Sequence, residues 1–282
     1  MAKIIAIANQ KGGVGKTTTS VNLSACLAAA EKRTLLIDFD PQGNASSCLG
    51  VEKDTFAKAN IYHALINEEG FENCIYKTEL PLLDLCPSNN DLVGAELELV
   101  HMFARESKLK VALEAIQHKY DYIIIDCAPS LNLLTVNAFT AAHTYLVPMQ
   151  TEYLAMEGLS QLLNTVRLIR ASLNPRLSLE GILLTMYDSR NNLCKLVAND
   201  LMTHFKDDIL KSIIPRNVKL SECTSFGKPI ILYDITSKGS EAYLSLAREI
   251  ILKSEKKPEP APAQVKMPLN QIPKFEDYQV QS

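Results

Sequence analysis

The chain has 282 residues, 47% of them hydrophobic and 22% charged, with a formal net charge of −3. That supplies a core covered on both faces of a sheet, in one large domain or two small ones. It excludes a polyanion binder acting through whole-molecule charge. No uninterrupted apolar stretch approaches the roughly 18 residues of a membrane span, and no signal peptide is visible.

The first apolar run, residues 4–8, predicts a strand. It leads into Lys11-Gly-Gly-Val-Gly-Lys-Thr-Thr18, and a helical pattern follows over 15–30. Strand, glycine loop and helix in that order form a phosphate cradle: the glycines let backbone N–H groups turn inward, and the helix N-terminus faces the anion. Gly12, Gly13, Val14, Gly15, Lys16, Thr17 and Thr18 form the expected binding loop. Lys16 reaches the β/γ-phosphates and the Thr17 hydroxyl is placed for Mg²⁺. In G-x-x-x-x-G-K-[ST] the first glycine falls on Gln10, and a second lysine, Lys11, stands ahead of the paired glycines. A lysine at the lip of the loop reaches its own phosphates poorly. It is placed for phosphates held by a second subunit, which hints at a nucleotide sandwich dimer.

The second strand, 34–38, ends in Asp38-Phe-Asp40-Pro41. Alternation along a strand puts Asp38 and Asp40 on one side. One carboxylate can then hold Mg²⁺ through water while the other orients the attacking water. Further strands are expected at 82–86, 122–126, 144–148, 181–186 and 209–214. Helices are expected at 95–117, 133–141, 156–172, 193–204 and 240–252. The strand at 122–126 ends in Asp126, the Walker B arrangement, and Asp126 is expected in the Mg²⁺ water shell.

Continuously apolar strands separated by helices predict a single α/β P-loop domain over residues 1–254, with a mainly parallel twisted sheet and helices on both faces. Ligands of such sheets gather at the carboxyl ends of the strands. The loop after Ile7, Asp38, Asp126 and Pro148 all fall at that edge. From residue 255 to 282 the character changes: five of the thirteen prolines (258, 260, 262, 268, 273) lie there. A solvated flexible tail is expected, with docking of residues 272–278 onto a partner or the chain's own body as the alternative. The seven cysteines are scattered without a C-x-x-C pair, and the five histidines lack ligand spacing. They read as core or surface residues of a reduced, cytoplasmic protein.

Taken in order, these three motifs resemble the deviant Walker A ATPases of the ParA/MinD group. The segments starting at Gln150, Leu184, Ile214 and Ser225 are similar to the ParA/Soj chromosome-partitioning ATPases, over about residues 2–253. The resemblance implies an ATP- and Mg²⁺-dependent homodimer that binds double-stranded DNA without sequence preference. It further implies a nucleoid-associated enzyme whose slow ATP hydrolysis a ParB-type activator stimulates. By resemblance Lys11 contacts phosphate across the dimer, Lys16 and Thr17 hold phosphate and Mg²⁺, Asp40 positions the hydrolytic water, and Asp38 and Asp126 support the metal. Pro215, Arg216 and Asn217, with Met186 nearby, match the stretch beside the adenine. Glu222-Cys-Thr-Ser225 departs from the family's Glu-Ala-Pro-Ser.

For DNA, residues 187–254 hold ten Lys/Arg against eight Asp/Glu, a slight excess. Arg190, Lys195, Lys219, Lys238 and Arg248 are the candidate phosphate contacts, engaged through dimerisation rather than base readout. Three rivals remain: a MinD-like membrane positioning ATPase, which the tail prolines oppose; an iron–sulphur relative using Cys127; and a small plasmid-partition ATPase. With the loop beginning at residue 11, the larger plasmid type with an N-terminal DNA-binding domain is not expected.

Overall fold

The strands form where short runs are apolar on both faces. In the computed structural model they are β1 (Lys3–Ile7), β2 (Thr34–Phe39), β3 (Tyr76–Lys77), β4 (Leu83–Cys86), β5 (Tyr122–Cys127), β6 (Thr144–Gln150), β7 (Ser178–Tyr187) and β8 (Ile209–Pro215). The structure describes residues 1–255 except 52, 58, 67–69, 153 and 154. The expected tail, from 256 on, therefore lies outside the described residues.

Between the strands lie α1 (Lys16–Ala29), α2 (Asn44–Cys48), α3 (Ile61–Ile66), α4 (Asp91–Leu99), α5 (Lys108–Glu114), α6 (Leu133–Ala141), α7 (Ala155–Ser172), α8 (Asn192–Phe205), α9 (Val218–Ser225), α10 (Ile230–Tyr233) and α11 (Lys238–Glu255). The sheet runs β3-β4-β2-β5-β1-β6-β7-β8 and is parallel except for the β3–β4 pair. All seven expected strands are present. The unexpected β3 is two residues long, too short to leave a periodicity.

Alternation along each strand divides the core. Ile4, Ala6, Ile37, Ile123 and Ile125 face one cluster, which α3–α8 cover. Ile5, Ile7, Leu36 and Ile124 face the other, closed by α1, α2 and α9–α11. Burying β2 and β5 along their whole length accounts for their unbroken apolar sequence.

The helix expected over 95–117 is not continuous. α4 begins earlier, at Asp91, and ends at Leu99; Ala104 then adopts left-handed backbone at φ +51° before α5 starts. The side chain of Asn137 on α6 explains the break. Its Nδ2 donates to the Arg105 carbonyl at 2.8 Å and its Oδ1 accepts from the Leu109 amide at 3.2 Å. Groups that a continuous helix would pair internally are thus satisfied from a neighbour, a tertiary effect that local pattern does not carry.

Parallel pairing brings the carboxyl ends of the central strands together. Asp126 sits opposite Ile7 on one side and Asp38 on the other. The order reverses at β1, which lies between β5 and β6, and such a switch point leaves a crevice outside the strand ends.

Candidate nucleotide site

The loop from β1 to α1 turns through two glycines in left-handed backbone, Gly13 at φ +74° and Gly15 at φ +86°, where a side chain would be strained. Thr19 donates its amide to the Gly15 carbonyl at 2.9 Å. The amides before it lack an acceptor within the helix. Neighbouring strands hold the outside of the loop. Asn9 Nδ2 donates to the Pro148 carbonyl at 2.8 Å, and Asn9 Oδ1 accepts from the Lys11 amide at 3.0 Å. Thr185 Oγ1 donates to the Val14 carbonyl at 2.8 Å, and Gln150 Nε2 to that of Gly13 at 3.3 Å. Asn9, Gln150 and Thr185 are not among the residues expected at the site. Their signals are their place as polar residues near the carboxyl ends of apolar strands and, for Gln150 and Thr185, the segments from Gln150 and Leu184 that resemble the family.

Lys16 is buried, and its Nζ donates to the Lys11 carbonyl at 3.3 Å. Burial pulls its pKa below the ordinary value, while the charges of Asp126 and Asp40 push the other way. Asp126 is fully buried; its Oδ1 accepts from Ser20 Oγ at 2.8 Å, and its Oδ2 has no partner among the described residues. Burial raises its carboxyl above the usual range against the hydrogen bond from Ser20 and the influence of the nearby Thr17 hydroxyl. An orphaned, desolvated carboxylate oxygen beside the Thr17 hydroxyl suits a divalent cation. Among the described residues no group of three His, Cys, Asp or Glu side chains forms a metal cage. Sparse protein ligation of this kind fits magnesium, which keeps waters and takes phosphate oxygens.

Asp38 faces inward instead. Its Oδ2 accepts from the Ser46 amide at 2.8 Å and from Ser46 Oγ at 2.7 Å, and its Oδ1 accepts from the Asp40 amide at 3.3 Å. Burial, then the charge of Asp126, raises its pKa. With both oxygens engaged, Asp38 ties down the loop that carries Asp40 and leaves the open oxygen to Asp126. Asp40 Oδ1 accepts from the Gln42 amide at 2.9 Å, and its charge acts on both Lys16 and Asp126. Gly43 completes the turn at φ +65°, where an added Cβ would lie 2.6 Å from the Ser88 carbonyl oxygen.

The Lys11 side chain reaches the segment after β6. Its Nζ pairs with Glu152 Oε2 at 2.5 Å, and both side chains are partly exposed. Gly15, Thr18, Met186, Pro215, Arg216 and Asn217 line one cleft of about 110 Å³, together with Thr185 and Tyr243. The structure therefore brings the expected base-side residues together next to the loop.

The five candidate DNA contacts do not share a face. Lys195 lies on α8, over one core cluster, whereas Lys219, Lys238 and Arg248 lie on α9 and α11, over the other. Arg190 pairs with Asp188 at 2.8 Å, and Lys219 with Glu222 at 2.9 Å. Cys127 is a buried thiol pushed up by desolvation and belongs to the core.

A mostly parallel sheet with a glycine loop between β1 and α1, and buried aspartates ending the strands beside it, defines a P-loop ATPase. A family model described as an AAA domain matches residues 2–179. The chromosome partitioning protein ParA of Myxococcus xanthus is 55% identical over 251 residues, 89% of this chain and 88% of the relative. The sporulation initiation inhibitor protein Soj of Bacillus subtilis is 56% identical over 250 residues, 89% of this chain and 98% of the relative. Among solved structures, cobyrinic acid a,c-diamide synthase from Mycobacterium smegmatis, with bound ADP and magnesium, aligns at a TM-score of 0.80 with 35% identity. It covers 93% of this chain and 100% of that one. The chain belongs to the ParA/Soj family of chromosome-partitioning P-loop ATPases. No helix among the described residues is long and apolar enough to cross a membrane.

Proposed function

We propose that this protein binds ATP and Mg²⁺ at the β1–α1 loop, dimerises around the nucleotide, binds double-stranded DNA without sequence preference in that state, and is released when hydrolysis is stimulated by a ParB-type activator. Its cargo is a chromosome origin and its place the nucleoid. The observation that carries this reading is Lys11, held on Glu152 at the lip of the loop while Lys16 is buried inside it. Two lysines facing apart suit two phosphate sets, one in each subunit.

Each residue has a role in this reading. The amides of Gly12–Thr18 and the Lys16 ammonium cradle the β/γ-phosphates, whose charge restores the proton affinity that burial removes from Lys16. Thr17 and the open oxygen of Asp126 hold magnesium, which neutralises charge on the phosphates. Asp40 positions the attacking water. Asp38, bound to Ser46, keeps Asp40 in place. Met186, Pro215, Arg216 and Asn217 flank the adenine. Hydrolysis by the subunit alone is slow, as in other NTPases that wait for an activator to complete transition-state stabilisation. The DNA surface lies on α9 and the start of α11, with Lys219 and Lys238, and extends to Arg190. Dimerisation doubles its phosphate contacts. The names of the Myxococcus and Bacillus relatives support the partition role.

Sedimentation with Mg-ATP tests the dimer. Asp40→Ala is expected to sediment as a stable dimer, and the same variant carrying Lys11→Ala as a nucleotide-bound monomer. A dimer in both variants would refute the role given to Lys11.

A further inference from the structure

α1 and α11 run side by side, and their C-terminal halves leave an apolar groove of about 240 Å³ with walls that include Ala29, Ala30, Leu244, Ile251 and Leu252. Leu244 is 38% and Leu252 49% exposed, so two leucines of one groove meet water. Arg248 lines the same groove and is exposed. Among the described residues it forms no ion pair. It also stands about 15 Å along α11 from Lys238, at 1.5 Å per residue, away from the surface proposed for DNA.

Three hydrogen bonds fix where the chain leaves this groove. Lys3 Nζ donates to Ser254 Oγ at 3.1 Å and to Glu180 Oε1 at 2.9 Å, and Lys253 Nζ donates to the Glu180 carbonyl at 2.9 Å. The last turn of α11 is thereby pinned to the amino ends of β1 and β7. The helix ends at Glu255, about 4.5 Å beyond Leu252 along its axis, and residues 256–282 follow it in sequence. In that stretch Ile272, Phe275 and Tyr278 recur every third residue, with Glu276 and Asp277 between the two aromatic residues. Three is the period of a polyproline II helix, which puts all three side chains on one face. Pro273 favours extended backbone around it.

We propose that this groove is the seat of the chain's own residues 272–278, with Phe275 and Tyr278 between the apolar walls and the acids Glu276 and Asp277 flanking that face, one of them at the rim beside Arg248. The dimensions agree. Phe275 and Tyr278 are about 9 Å apart in that conformation, and Leu244 and Leu252 about 12 Å apart along α11. Residues 256–271 supply a tether far longer than the distance required. A tether of that length gives an effective concentration of about millimolar, so a contact weak between separate molecules is populated within one. Charge favours the tail over a second copy of the same face. A symmetric pairing centred on Arg248 would set it against its own copy, whereas residues 272–278 bring two acids against one base, Lys274.

The test uses the full chain with a photo-crosslinking phenylalanine analogue at position 275. The expected products are crosslinks within one chain to peptides containing residues 26–30 or 244–252. Arg248→Glu lowers their yield by about tenfold, the equivalent of one lost charge contact, and Glu276→Lys with Asp277→Lys in that background restores it. Crosslinks elsewhere, only between chains, or unaffected by Arg248→Glu overturn the proposal. Hydroxyl-radical footprinting of the unlabelled chain gives an independent reading. The Phe275 and Tyr278 rings are shielded from oxidation and lose that shielding in Leu244→Glu/Leu252→Glu; full reactivity of both rings in the parent chain would be equally fatal.

Discussion

At the residue scale, the buried carboxylates set the chemistry and its pH response. Asp38 and Asp126 lie opposite each other on β2 and β5, and burial lifts both above the ordinary value of 3.8. An acid with a raised folded pKa contributes stability that is complete below its unfolded pKa and is lost as pH rises through its folded pKa. The nucleotide-free protein should therefore lose resistance to urea as pH rises from about 4 toward neutrality, and Asp38→Asn should flatten that fall. Urea midpoints across the range measure it, and parallel curves for the two proteins would remove the pair as the cause. Lys16 and Asp40, two of the side chains proposed to act on nucleotide, separate more sharply. Lys16→Ala should abolish ATP binding. Asp40→Ala should bind ATP yet lose at least about 10²-fold in turnover, the usual weight of a positioned acid–base group. Normal turnover in Asp40→Ala would reassign the water-positioning role.

At the scale of elements, the loops around the site depend on contacts that lie far apart in sequence. Gly43 is confined by its positive φ and by the Ser88 carbonyl. Gly43→Ala should cost roughly 1–3 kcal/mol and displace the Asp40 turn, which a denaturant titration together with the ATPase rate would register. Asn137→Ala should cost about 1–3 kcal/mol by leaving the Arg105 carbonyl or the Leu109 amide unsatisfied; a change within error would mean that water replaces the side chain. The same distance in sequence limited what could be read beforehand. The apolar runs of β1, β2 and β5 announce themselves, as do Lys11–Thr18, because strand burial and phosphate binding impose local patterns. The break between α4 and α5 is imposed by Asn137 on α6 and leaves no trace in the segment itself. The inward turn of Asp38 was hidden for the same reason: Ser46, eight residues on, claims an oxygen that strand alternation alone leaves open.

At the scale of the whole molecule, the sheet gathers four strand ends at one edge, and the proposed function adds a second subunit there. The charge tally over 187–254 identified cations but not their arrangement. The structure divides the candidates between the two faces of the sheet, and that division narrows the proposed DNA surface to α9, the start of α11 and Arg190. Few contacts per subunit make affinity depend on dimerisation, and counterion release makes it depend on salt. Lys219→Glu and Lys238→Glu should each weaken binding and lessen its salt dependence, while Lys195→Glu on the opposite face should change neither. The most direct test of the account is binding of the purified protein to a random DNA duplex with ATP, with ADP and without nucleotide, over a series of salt concentrations. The account predicts binding with ATP alone, falling steeply with salt and lost in Lys11→Ala. Equal binding in all three nucleotide states, or none in any, would contradict it.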